Sequence, residues 1–116
     1  MLFDIERTTV SGLPSLSVRG ELDLATAPQL MEAMESLLSQ PPRGMVLDLT
    51  GTTFLDSSGA RCLAFLARRA AGADVDLQVV CPRDNRPVWL VVDLLELQSL
   101  VPITEAVRGP GDEAGP

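Results

Sequence analysis

The run Gly44-Met45-Val46-Leu47-Asp48-Leu49 is short and mostly apolar, without the strict alternation of a strand that has one wet face. Such a run is the mark of a strand buried in a parallel sheet. Parallel neighbours need crossover connections, and helical patterns flank the run on both sides. Upstream, Leu30, Met34, Leu37 and Leu38 fall on one helical stripe, which stops at Pro41-Pro42. Downstream, Leu63, Leu66, Ala67 and Ala70 share a face of a second helix that ends near Gly72. These segments predict an α/β domain with right-handed crossovers and helices over at least one face of its sheet.

The rest of the chain extends this pattern. Phe3 to Thr9 alternates in character and reaches the turn cluster Ser11-Gly12-Leu13-Pro14, and Ser15 to Leu22 predicts a second strand that forms a hairpin with the first. Thr26 predicts a helix N-cap, with Pro28 in the first turn and Gln29 placed as in a capping box. Thr50 to Leu55 reads as the passage to the second helix, Asp76 to Val80 as a strand, and Pro82 to Pro87 as a polar loop. Val88 to Leu95 predicts a short third helix with Trp89 as core, and Leu100 to Ile103 an edge strand. The predicted order is β-β-α-β-α-β-α-β, a single domain over residues 1–107 with a mixed sheet of four to five strands covered by helices. Residues 108–116, rich in Gly and Pro, predict a flexible C-terminal tail. At 116 residues the chain holds one core.

Missing residue types narrow the function. The formal charge is −7, and all nine basic residues are Arg. An acidic surface repels phosphate backbones and argues against direct nucleic-acid binding. Without Lys there is no P-loop lysine and no Schiff base; without His there is no histidine metal site and no Ser-His-Asp triad in its usual form. No run is long and apolar enough to span a membrane, and the acidic, alternating N-terminus does not read as a signal peptide, so the cytoplasm is the expected address. Cys62 and Cys81 read as reduced, buried residues, with a redox role or a disulfide as the sharper alternative. No cofactor and no metal ion is expected.

The informative stretch is Phe54-Leu55-Asp56-Ser57-Ser58-Gly59, which follows a strand and opens a helix. Capping alone accounts for an isolated Asp-Ser-Ser-Gly, because Asp and Ser oxygens accept from the unpaired amides of a first turn. The same free amides and positive helix end also favour a phosphate. A phosphoryl group on Ser57 adds about −1.5 to −2 charges beside Asp56 and acts most strongly on a partner docked over that surface. Arg61 lies four residues on, on the same helical face, where it is placed either to pair with the phosphate or simply to be solvated. Gly20-Glu21-Leu22-Asp23 ends a strand ahead of Thr26-Ala27; parallel strands end at one sheet edge, which places Asp23 near Ser57. Arg68-Arg69 reads as a solvated pair at the negative pole of the second helix, and Met31 and Met34 as helix packing.

Taken together, Gly20 to Asp23 with Thr26, Ala27 and Leu30, then Val46 to Leu49, then Phe54 to Gly59, resemble the STAS domain family, of the anti-sigma factor antagonist type, over roughly residues 3 to 107. The resemblance implies that Ser57 is the phosphorylation site. It further implies that Asp23 and Asp56 shape the site and that Ser58 and Gly59 begin the docking helix, with Arg61 in the partner-binding surface. It implies partner switching: the unmodified protein binds an anti-sigma factor that is a serine kinase and so releases a sigma factor, phosphorylation of Ser57 dissolves the complex, and a serine phosphatase resets it. Two departures from the family pattern stand out. Leu94-Leu95-Glu96-Leu97 occupies a region that usually holds a glycine, and the usual final amphipathic helix is absent or reduced to Thr104 to Val107. A stress-complex scaffold or lipid-transport accessory subunit of the same fold, without a switch, is the second reading. An enzyme with a Ser57 nucleophile is the third and is disfavoured, because neither His nor Lys is there to serve as base. The expected state is a monomer or weak homodimer.

Overall fold

Two consecutive residues with positive φ, Ser11 (52°) and Gly12 (79°), close the first hairpin. A two-residue turn with both centres in this region matches the right-handed twist of the strands it joins. Strand β1 (Asp4–Val10) therefore pairs antiparallel with β2 (Leu13–Leu22), with Val10 opposite Leu13. Leu13 and Pro14, read from sequence as turn, already belong to β2. The computed structural model describes residues 2–108; the expected tail from residue 109 onward lies outside the described residues.

After β2 come α1 (Ala27–Leu38), β3 (Gly44–Asp48), β4 (Thr52–Leu55), α2 (Ser57–Gly72), β5 (Asp76–Val80), α3 (Arg86–Leu94), a single 3-10 turn at Leu97–Ser99 and β6 (Ile103–Thr104). Among the described residues the sheet has six strands, one more than expected from the sequence, because the passage Thr50 to Leu55 contains β4. β4 is four residues long, with only its two ends buried, too short a run for its pattern to be read. The main order is β1-β2-β3-β5-β6, with every pair beyond the first hairpin parallel. β2 serves two partners in line: Ser15 to Ser17 face β3, and Gly20 to Leu22 take up β4, with a bulge between Gly20 and Glu21 and Leu22 opposite Leu55.

Met45, Val46 and Leu47 of β3 are all buried, so side chains pointing to opposite sides of the sheet are both covered. The short apolar run is the interior strand its composition demands. Helices α1 and α2 pack on each other, and Arg69 of α2 holds Glu35 of α1 through two hydrogen bonds, Nε to Oε2 (2.7 Å) and a terminal nitrogen to Oε1 (2.6 Å). Arg69 is thus paired rather than merely solvated, and the guanidinium holds the Glu35 carboxyl below its usual range. Trp89 is buried, and its indole N–H donates to the carbonyls of Cys81 and Pro82 (3.0 and 3.1 Å). Asn85 ties the start of α3 to the β3–β4 connection by donating to the carbonyls of Leu49 (3.1 Å) and Thr52 (2.9 Å). Cys62 and Cys81 are free and buried; desolvation pushes each thiol up to about 11, with Asp48 and Asp84 adding to the effect at Cys81.

The third helix starts two residues before its sequence-read beginning, and the edge strand falls at Ile103–Thr104 rather than from Leu100, because Leu97–Ser99 form the extra turn. Arg108, the first residue of the expected tail, is held: its backbone N–H and carbonyl both bond the Gln78 side-chain amide (2.7 Å each). Glu96, in the segment Leu94-Leu95-Glu96-Leu97, adopts φ 50°, in the left-handed region. That conformation costs a residue with a Cβ roughly 1–2 kcal/mol, and glycine adopts it freely. Glu96→Gly should therefore stabilise the domain by about 1 kcal/mol after the extra chain entropy of glycine is set against the relief. A thermal melt should rise by roughly 4 °C.

Candidate functional site

The parallel pairing of β2 and β4 brings the two motif segments to one edge of the sheet. Leu22 stands opposite Leu55, so Asp23 and Asp56 are the next residues along, each leaving its strand at the same level. The sequence expectation that these acidic groups share a rim with Ser57 is met by this register.

Each carboxylate has a local task. Asp56 is the N-cap of α2: its backbone is extended, and Oδ1 accepts from the Gly59 N–H at 2.8 Å. Asp23 organises the loop into α1, with Oδ1 accepting from the N–H groups of Ala25 (3.0 Å) and Thr26 (3.1 Å). The capping box expected at Thr26 and Gln29 does not form. Thr26 is already in the helical region (φ −100°, ψ −21°), where its hydroxyl turns back instead to the strand exit. There it accepts from the Asp23 N–H (2.9 Å) and donates to the Glu21 carbonyl (2.7 Å).

Ser57 is the first residue of α2 and is exposed, whereas Ser58 is partly buried. The N–H groups of Ser57 and Ser58 have no partner among the described residues, while that of Gly59 is capped and that of Ala60 closes the first helical bond onto the Asp56 carbonyl (2.9 Å). An exposed hydroxyl thus stands beside two open amides at the positive end of a sixteen-residue helix. Arg61 is exposed one turn further along and makes no ion pair with the described residues.

Gly59 fixes the helix against the sheet. A Cβ at this position would lie 2.3 Å from the Leu22 carbonyl oxygen and 2.7 Å from Leu55 Cδ1. The Leu22 carbonyl also accepts from the Asp56 N–H (3.4 Å). The motif glycine lets the first turn of α2 sit directly on the backbone of β2.

Beside Ser58 runs a groove of about 350 Å³ between α1 and α2. Its α1 wall is Ala27, Pro28 and Met31, with Leu24 from the preceding loop. Its α2 wall carries Ser58, Arg61, Cys62, Phe65 and Arg68, which recur at three- and four-residue intervals. Leu24 is 75% exposed. From sequence, Met31 reads as packing and Pro28 as a first-turn residue, and no motif marks Leu24 or Phe65 as groove residues. An apolar residue inside the polar cap loop Asp23-Leu24-Ala25-Thr26, and the second stripe Cys62-Phe65 on α2, were the available signals.

A mixed α/β domain whose parallel strands deliver an Asp-Ser-Ser-Gly helix start to the rim of an apolar groove defines a class. The family model described as "Mlab, STAS domain" matches residues 7–102, and the chain belongs to the STAS domain family. It is similar to the anti-sigma-F factor antagonist RsfB of Mycobacterium tuberculosis, 35% identical over 83 residues that cover 70% of this chain and 67% of the relative. Among solved structures it is similar to an anti-sigma factor antagonist from Mycobacterium paratuberculosis, with a TM-score of 0.78 at 25% identity over 91% of this chain and 88% of the other. The fold is also that of the anti-sigma factor antagonist SpoIIAA in its unphosphorylated form, with a TM-score of 0.69 at 17% identity over 92% and 90% of the two chains.

Proposed function

We propose that this protein is a non-catalytic anti-sigma factor antagonist of the cytoplasm, controlled by phosphorylation of Ser57. In its unmodified form it binds an anti-sigma factor with serine kinase activity and so frees a sigma factor; a serine phosphatase restores it after modification. The observation that carries this reading is the exposed Ser57 hydroxyl at the first position of α2, next to two unpaired amides and adjacent in sequence to Ser58, which lines an apolar groove. A partner seated over the groove covers Ser57, so a phosphoryl group there places about two negative charges in the interface, beside the Asp56 carboxylate. Asp23 and Asp56 hold the two loops in shape, Gly59 seats the helix, and Ser58 and Arg61 face the partner. The likeness to RsfB supports the same role.

The test is a pair of baits, Ser57→Ala and Ser57→Asp, used to capture partners from the source cell. The alanine form should retain one kinase-type anti-sigma factor, and the aspartate form should recover several-fold less. In a phosphorylation assay with that kinase, Ser58→Ala should still accept the mark and Ser57→Ala should not. The second reading is an accessory or scaffold subunit of the same STAS fold, without a switch. Equal recovery by both baits would select it.

A further inference from the structure

We infer that α3 is a self-association surface that pairs antiparallel with α3 of a second copy of this chain. Arg86, Leu90, Asp93 and Leu94 recur at helical intervals and share one face, and all four are exposed, Leu90 by 62% and Leu94 by 72%. The opposite face, Val88, Trp89 and Val92, is buried in the core. Exposed leucines on successive turns form an apolar patch of the kind that marks an interaction surface.

The charges identify the occupant. α3 has no acidic residue in its first turn and no basic residue in its last. Arg86 stands instead at the positive end of the helix and Asp93 near the negative end, each against the helix dipole. Neither makes an ion pair with the described residues of its own chain. An arrangement that disfavours the isolated helix becomes complementary when a second α3 lies antiparallel to it. The two-fold axis then passes beside Leu90, midway between Arg86 and Asp93, which are about 10 Å apart along the helix at 1.5 Å per residue. Each Arg86 faces Asp93 of the second copy on the same flank, the leucines meet at the axis, and the two dipoles oppose. A parallel pairing would instead set Arg86 against Arg86. A nine-residue helix presents a face about 13 Å long, well below what a stable interface of roughly 1,200 Å² requires. The pairing is therefore weak, in about the micromolar to millimolar range.

Sedimentation velocity of the full chain over a concentration series, with a thermal melt of each variant, tests the pairing. The wild type should shift from monomer towards dimer as concentration rises. Arg86→Glu and Asp93→Arg should each weaken association about tenfold, since each turns two attractions into repulsions. The double reversal should restore it to within about threefold, because the pair is re-formed with its signs exchanged. Both single reversals suit the helix dipole, so their melts should be equal to or above the wild type, which separates lost association from lost folding. Leu90→Gln should lose association with its melt unchanged. A wild type that stays monomeric to about 1 mM overturns the pairing. So does association that survives the single reversals or Leu90→Gln, or that the double reversal fails to restore.

Discussion

Gly59→Ala will lower the stability of this domain by about 2 kcal/mol, although glycine to alanine inside a helix ordinarily raises it. The helix-propensity gain is about 1 kcal/mol. Against it stands a Cβ at 2.3 Å from the Leu22 carbonyl oxygen and 2.7 Å from Leu55 Cδ1. The nearer neighbour is main chain in a paired strand, which cannot rotate away as a side-chain tip can. Overpacking of this kind costs about 3 kcal/mol at the upper end of its usual range, so the clash wins. The melting temperature should fall by roughly 10 °C. The relief open to the chain is to lift the first turn of α2 off β2, which moves Ser57 and Ser58 with it. Partner capture by Gly59→Ala should therefore be weakened even at temperatures where the variant is folded. A melt at or above the wild type would show that Leu22 yields more easily than its place in β2 implies.

Leu24→Asp should produce the opposite dissociation of effects, leaving the fold intact and removing the partner. Leu24 is 75% exposed, so its replacement forfeits little burial on folding, and its melt should stay within about 2 °C of the wild type. In the proposed complex the same side chain passes from water into the apolar groove with Met31 and Phe65, which Ser58 also lines. A desolvated apolar anchor of this sort carries about 2 kcal/mol or more, and an aspartate buried there without a partner adds a further penalty. The affinity of Leu24→Asp for the captured anti-sigma factor, measured by calorimetry, should drop by about 30-fold or more. Unchanged affinity would move the docking surface away from the groove between α1 and α2.

What the sequence made legible follows from the range of the interactions involved. The interior strand at Gly44 to Asp48 and the strand at Asp76 to Val80 are marked by short apolar runs and the second helix from Ser57 to Gly72 by its helical stripe, and the structure has them at those places. β4 was not legible, because four residues with a mixed pattern become a strand only through the long partner β2. The Thr26 cap was misread for a related reason: the residue is of the right type, but Asp23 takes the amides and turns the threonine back towards Glu21. At the site, the identities of Ser57, Asp56 and Asp23 came from the motif and their common edge from parallel topology. The groove was not legible, since it is a space between two helices, and no single stretch of chain encodes the distance between them.

The first turn of α2 is held to the end of β2 by the Asp56 cap, by the bond from the Asp56 amide to the Leu22 carbonyl, and by the absence of a side chain at Gly59. A platform fastened in this way is expected to keep its shape if, as proposed, charge is added at Ser57. The news of a modification there travels as electrostatic potential, and in a salt solution of physiological strength that potential dies away over about 8 Å. Only a surface already touching the helix start can hear it, so the message stays private to the molecule in contact and grows fainter as the ionic strength rises.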